Sequence, residues 1–203
     1  MRRKITPEVS EVFVIRAHFC NQQTPTRESK GFFRVSTFFA KALETLFEIL
    51  YNEQIMGTRC FAMLKPGVLN RRLVGEVISR LEKKGLKLVG LKMMNVSQEL
   101  ASRHYAEHKE KPFYGELVDY ITSGPVVAMC LQGDDCISIV RKLVGSTRPS
   151  EAAPGTIRGD FCLHTQCNIV HASDSDESAE REINLFFKQE ELIDWEDNSS
   201  VWY

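Results

Sequence analysis

The apolar positions of this chain follow first one period and then another, and the changes of period mark its elements. Arg59 to Lys65 is a short apolar run that predicts a buried strand, and Pro66-Gly67 ends it. Leu73, Val77, Ile78 and Leu81 then recur at helical spacing, and Gly85 closes that helix. Leu86 to Val96 predicts a second strand. Ser97 is suited to cap a helix running to about His108, and Lys111-Pro112 opens another. Ser123-Gly124-Pro125 breaks that helix, and Val126 to Leu131 predicts a third buried strand. Asp134 or Asp135 can cap a helix to Val144, after which Gly145–Gly159 reads as a long loop with prolines and glycines. Phe161 to Leu163 predicts a short fourth strand, and Ser173 to Ser175 cap a last helix through Phe187. The order strand, helix, strand, helix pair, strand, helix, strand, helix predicts an α+β sandwich. Its helices are expected on one face of an antiparallel sheet.

Residues 1–55 do not share this regularity. Phe39, Leu43, Leu46, Phe47 and Leu50 form one apolar helical stripe, with Ser36 or Thr37 as its cap, but no clear period holds in the first 35 residues. The opening Met1-Arg-Arg-Lys, the scattered Ser and Thr and the few acids weakly resemble an organelle transit peptide. A disordered extension and an upstream start codon are the other readings, since Met56 stands just before the first strand. The expected organisation is an N-terminal extension, 1–55, and one domain, 56–203.

Composition narrows the class. The chain has 203 residues, 43% of them hydrophobic and 26% charged, with a net charge of −1. That is enough for one ordinary core, and it lacks the basic excess of a dedicated nucleic-acid binder. No apolar run approaches the ~20 residues of a bilayer span. Six cysteines occur with no C-x-x-C pair, so neither a zinc site nor a disulfide framework is expected. They read as reduced thiols, several buried as small hydrophobes, in a reducing, cytoplasmic compartment.

The chemistry concentrates in Gly155 to Ser175, GTIRGDFCLHTQCNIVHASDS. A histidine followed by a small residue and Ser-Asp-Ser can sit exposed at a helix start, and an upstream arginine can hold phosphate with its planar fork. Together they suggest that His171 takes up a phosphoryl group. A neutral imidazole is a competent nucleophile near pH 7 if one nitrogen is free and the other is held, and Glu182 could hold it. Taken alone, a histidine is more often a satisfied structural one. Lys65, Arg141, Thr147 and Arg158 are the polar candidates for a polyphosphate, each by itself ordinary as a surface group. Lys65 closes a strand, and Arg158 is expected in flexible loop. His104 and His108, four apart, could ligate a metal, but no third ligand is evident. They read as structural or, for His108, as a phosphate neighbour. Phe113 at a helix start could stack on a nucleobase or could pack in the core. Neither a Gly-x₄-Gly-Lys-Ser/Thr loop nor a Gly-x-Gly-x-x-Gly turn is present.

Several segments, in order, resemble the nucleoside diphosphate kinase family: FAMLKPGVLNRRLVGEV, HYAEHKEKPFYGELV, SGPVVAM, PGTIRGDF and NIVHASDSDESAEREI. The likeness is continuous from about Thr58 to Trp195. It implies a ferredoxin-like α+β fold and transfer of the γ-phosphate of a nucleoside triphosphate such as ATP to nucleoside diphosphates, which maintains nucleotide pools. The resemblance further implies a ping-pong route through a phosphohistidine, with Mg2+ carried by the nucleotide phosphates rather than by protein side chains. By position, His171 is the nucleophile, at its pros nitrogen. Glu182 orients its ring, and Ser173 binds that carboxylate. Lys65 and Asn168 match the sugar-hydroxyl and phosphate contacts. Arg141, Thr147, Arg158 and His108 match the phosphate cradle. Phe113 matches the base-stacking ring with Leu117 beside it, and Tyr105 the tyrosine near the lysine. A homotetramer or homohexamer is implied, with neither nucleic acid nor membrane as partner.

Three segments depart from the family pattern. KPDGV reads KPGVL, so Gly67 stands where the acid would be. HGSDS reads HASDS, with Ala172 for glycine. GxTNP reads GSTRP, so Arg148 adds charge to the long loop, where subunit contacts could change. None removes an expected catalytic group. A binding module on this fold would predict loss of such groups. A phosphocarrier donating to proteins would not need Phe113, Lys65 and Asn168.

Overall fold

The computed structural model of the chain describes residues 58–198. The extension expected at residues 1–55, its helical stripe and the expected domain start at 56 lie outside them. Strands β1 (Thr58–Leu64), β2 (Lys87–Asn95), β3 (Pro125–Gly133) and β4 (Val170–Ala172) form one sheet in the order β2-β3-β1-β4. Every pairing is antiparallel. The helices are α1 (Val74–Lys83), α2 (Gln98–His104), α3 (Tyr114–Thr122), α4 (Cys136–Val144), α5 (Ile157–Phe161) and α6 (Asp176–Phe186). This is the ferredoxin-like α+β arrangement expected from the sequence.

Helices cover both faces of the sheet, not one. The reason lies in β1, which is central and buried on both sides, so that its residues alternate between two cores. Cys60, Ala62 and Leu64 join Val77, Leu81, Val140 and Ile157 on one side. Phe61 and Met63 join Ala101, Val118, Ile121, Ile183 and Phe186 on the other. Phe61 stacks on Phe186 with ring centroids 4.7 Å apart. Cys60, Cys130 and Cys136 are buried among these apolar residues, as expected of small hydrophobic thiols.

Local corrections have local causes. The helix capped by Ser97 ends at His104, where the chain tightens into a 3₁₀ turn, Ala106–His108. Neither Asp134 nor Asp135 caps α4 with its side chain. Asp135 has a left-handed backbone (φ 47°), and the first helical N–H, that of Cys136, donates to Thr58 Oγ1 at 3.0 Å. The stretch predicted as loop and then strand, around Phe161, instead holds α5, which Thr156 caps by accepting from Gly159 N at 3.1 Å. Gly159 is required there, since a Cβ would sit 2.8 Å from the Ala153 carbonyl carbon. The fourth strand lies nine residues further on, at Val170–Ala172.

Phe61→Ala is expected to lower unfolding stability by about 3–5 kcal/mol, because it opens a cavity under both α6 and the strand that carries His171. Urea denaturation monitored by circular dichroism measures it. A loss below 1 kcal/mol would mean that the second core is not cooperative with the first.

Candidate active site

His171 occupies the middle of β4, opposite Met63 of β1. Strand alternation sends Val170 and Ala172 into one core and turns His171 to the opposite face, over the Phe61 ring at 5.9 Å. The histidine is therefore not at the helix start, as expected, and its side chain is only 23% exposed. Ala172 in place of glycine fits this geometry, since it is buried in the core. Ser175, not Ser173, caps α6, in a reciprocal box with Ser178. Ser173 is freed for another task.

That task is Glu182. This carboxyl, on α6, is 4% exposed. Its Oε1 lies 2.8 Å from His171 Nε2, and its Oε2 accepts from Ser173 Oγ at 2.6 Å. A carboxylate can only accept, so it fixes the imidazole proton on Nε2 and leaves Nδ1 with a lone pair. Ser173 is itself anchored, its N–H donating to Phe61 O at 3.0 Å.

His104 completes this corner, a placement that no motif or spacing in the chain pointed to. It is 5% exposed and edge-on to His171, centroids 4.6 Å apart at 82°. Its Nδ1 lies 3.7 Å from Glu182 Oε1, and neither ring nitrogen has a hydrogen-bond partner among the described residues. Burial pushes its pKa down to about 2, so the ring is neutral. The spacing of four suggested a pair with His108. The helix ends at His104, however, and His108 is exposed in the next turn with its ring 6.0 Å from that of Phe113. Only a tertiary neighbour on α6 reveals the role of His104.

A second group of side chains is cationic and buried. Lys65 follows β1 and is 5% exposed, and its N–H continues the β1–β4 pairing by donating to Ile169 O. Burial, with Arg158 opposing its charge, lowers its pKa to about 8. Arg158 is 7% exposed on α5 rather than in flexible loop. It donates to Gly145 O at 2.8 Å and Val170 O at 2.9 Å, while its Nε has no partner. Burial pulls its pKa down to about 10. Asn168, also 7% exposed, donates to Thr165 O and leaves Oδ1 unpartnered. Two buried cations whose mutual influence is repulsive are costly unless an anion joins them.

The remaining candidates surround these groups. Arg141, exposed at the end of α4, acts electrostatically on both Arg158 and Asp174. Thr147 is exposed in the loop after α4. Arg148 pairs with Glu151 of its own turn at 3.2 Å. Phe113, 45% exposed, stands at the start of α3, with Leu117 one turn on and half-buried. Tyr105 is buried at the end of α2. Gly67 adopts φ 93°, the left-handed region that glycine enters freely, so the KPGVL departure suits its turn. Tyr120 Oη holds that turn by donating to Pro66 O at 2.7 Å.

His171, Glu182 and Ser173 are joined by hydrogen bonds, with the buried Lys65 and Arg158 on neighbouring elements. Residues 58–192 match the family model for nucleoside diphosphate kinase. The chain belongs to the nucleoside diphosphate kinase family. It is 60% identical over 144 residues to a nucleoside diphosphate kinase of Archaeoglobus fulgidus, covering 71% of this chain and 95% of that one. It is 57% identical to one of Bacillus cereus, covering 71% and 97%. Among solved structures, a halophilic nucleoside diphosphate kinase from Halobacterium salinarum in complex with CDP superposes with TM-score 0.70 at 49% identity, covering 72% of this chain and 97% of that one. The chain is thus an enzyme of nucleotide metabolism that transfers phosphate from nucleoside triphosphates to nucleoside diphosphates. Among the described residues no helix is long and apolar enough to cross a membrane.

The low pKa of Lys65 has a sign that can be tested. Its protonated form is disfavoured in the fold, so the lysine opposes stability below pH 8, and that penalty fades as pH rises from 8 toward 10.5. Lys65→Met should raise the melting temperature at pH 7, by about 2–4 °C per kcal/mol relieved, and abolish most activity. The thermal gain should shrink at pH 10. Calorimetry at both pH values decides, and a lower melting temperature at pH 7 would reverse the sign.

Proposed function

We propose that this transfer runs in two half-reactions through a phosphohistidine on His171 Nδ1. The observation that carries the proposal is the 2.8 Å bond from His171 Nε2 to Glu182, which leaves Nδ1 as the nucleophilic nitrogen. The Nδ1 lone pair forms a bond to the γ-phosphorus, the bond to the bridging oxygen breaks, and the nucleoside diphosphate leaves with that electron pair. The ring gains positive charge, which the Glu182 carboxylate stabilises, while Ser173 keeps the carboxylate aligned. A second diphosphate then attacks the phosphohistidine and reverses the steps. One site serves both donor and acceptor.

Lys65, Arg158, Arg141, Thr147 and His108 bind the phosphates, and the buried cations gain the anion they lack. Lys65 and Asn168, whose Oδ1 is unpartnered, also reach the sugar hydroxyls. Phe113, with Leu117 beneath and Tyr105 nearby, stacks on the base through a face that every base has, so base tolerance is broad. The relative from Halobacterium salinarum was solved in complex with CDP, which supports a nucleotide as the ligand of this chain.

Magnesium is best carried by the substrate. Of the carboxylates beside His171, Glu182 is engaged by two donors, and Asp174 accepts from Ser178 Oγ at 2.8 Å. Phosphate oxygens are the natural Mg2+ ligands that remain, and the ion would neutralise charge on the transferring group.

The assembly is a homotetramer or homohexamer in the cytoplasm. β2 lies at the sheet edge with Leu91 and Met93 exposed, which favours contact with a second copy. Residues 1–55 are an appendage to the catalytic domain.

Incubation with γ-labelled ATP, then GDP, tests the pathway. Acid-labile label should appear on the wild type, pass to GTP, and be absent from His171→Ala. Label on a folded His171→Ala protein would refute the assignment. Ser173→Ala should lower kcat/KM by about 10–100-fold, the worth of a hydrogen bond to a charged group. A chain beginning at Met56 should keep turnover within a factor of about two. A folded but inactive truncation would make the N-terminal segment part of the machinery.

A further inference from the structure

The corner formed by His104, His171 and Glu182 holds three potential ligand atoms within 4.8 Å of one another. We infer that this corner is a regulatory zinc site: the unphosphorylated enzyme binds one Zn2+ through a nitrogen of His104, Nε2 of His171 and Oε1 of Glu182, and is held inactive by it.

The geometry fits the ion. Tetrahedral zinc with bonds of about 2.0–2.2 Å sets its ligand atoms about 3.4 Å apart. The two spacings to Glu182 Oε1, 2.8 Å from His171 and 3.7 Å from His104, bracket that value. Two imidazoles and one carboxylate with a fourth position open to water form a donor set that zinc favours, whereas magnesium prefers all-oxygen octahedra. The second observation is His104 itself. It is 95% buried, since its exposure is 5%, and both its ring nitrogens lack hydrogen-bond partners. A buried polar ring without a partner is costly unless something binds it. Ser173 remains on Glu182 Oε2, so the third ligand keeps its outer support. The exposed part of His171 gives an entry path.

The consequence follows from the tautomer. Zinc takes the lone pair of His171 Nε2, so the proton now held there moves to Nδ1. Nδ1 then has no lone pair with which to attack phosphorus. This consequence rests on the reading of His171 as nucleophile; the binding itself does not.

The test uses the full chain, freed of metal by a chelator. Titration with Zn2+ should show one ion per chain and inhibition reversed by the chelator. Substitution with Co2+ should give the visible bands of a tetrahedral site without a thiolate charge-transfer band, and should shift the ring protons of His104 and His171 in the unaltered protein. His104→Phe and His104→Gln, each checked for folding by circular dichroism, should weaken zinc binding at least tenfold. Undiminished binding in a folded variant would overturn the site. A thiolate band with unshifted His104 protons would also overturn it, placing the ion on the Cys162–Cys167 loop instead. Zinc bound at this corner without inhibition would overturn the regulatory role, and the γ-label experiment on His171→Ala separates that outcome from a failure of His171 as the nucleophile.

Discussion

The site depends on one buried carboxyl. Glu182 is all but removed from water, and a carboxylate in such a place needs donors for both oxygens. Ser173 and His171 supply them, from the end of one strand and its middle. The requirement works in both directions. The carboxylate is satisfied only if β4 runs beside β1 in this register, and the imidazole presents Nδ1 only if the carboxylate holds Nε2. Shifting β4 by one residue would turn His171 into the opposite core. Register, tautomer and reactivity are one constraint.

The cations show the complementary economy. Lys65 and Arg158 are both buried, and Arg158 donates to backbone carbonyls rather than to an acid. Burial disfavours both charges, which weakens the fold. Arg158 also ties the loop at Gly145 to Val170, so it helps to hold the strand that carries His171.

His104 shows how neighbours modify a relay without joining it. It limits the space around the His171 ring, yet its own ring nitrogens have no hydrogen-bond partner among the described residues. Being neutral, it adds no charge beside His171. A ring that fills space and lacks partners is also one that another ligand can engage.

Much of this was legible in the sequence. The strand and helix periods gave three of four strands and the α+β class, because those elements are long enough to show their period. The motifs around His171 and Lys65 gave the family and the candidate residues. What failed was short. β4 has three residues and α5 five, too few for a period to show, and their order in the sheet is set by long-range pairing with β1. The helix on each face follows from the double burial of β1, which alternation alone could not distinguish from a one-sided sheet. Burial of Arg158, the half-shielded His171 and the approach of His104 to Glu182 are contacts between residues far apart in the chain. The sequence by itself determined which chemical groups are available. The tertiary structure decided which of them meet, because hydrogen-bond reach is a few ångströms and only packing brings β4, α2 and α6 within it.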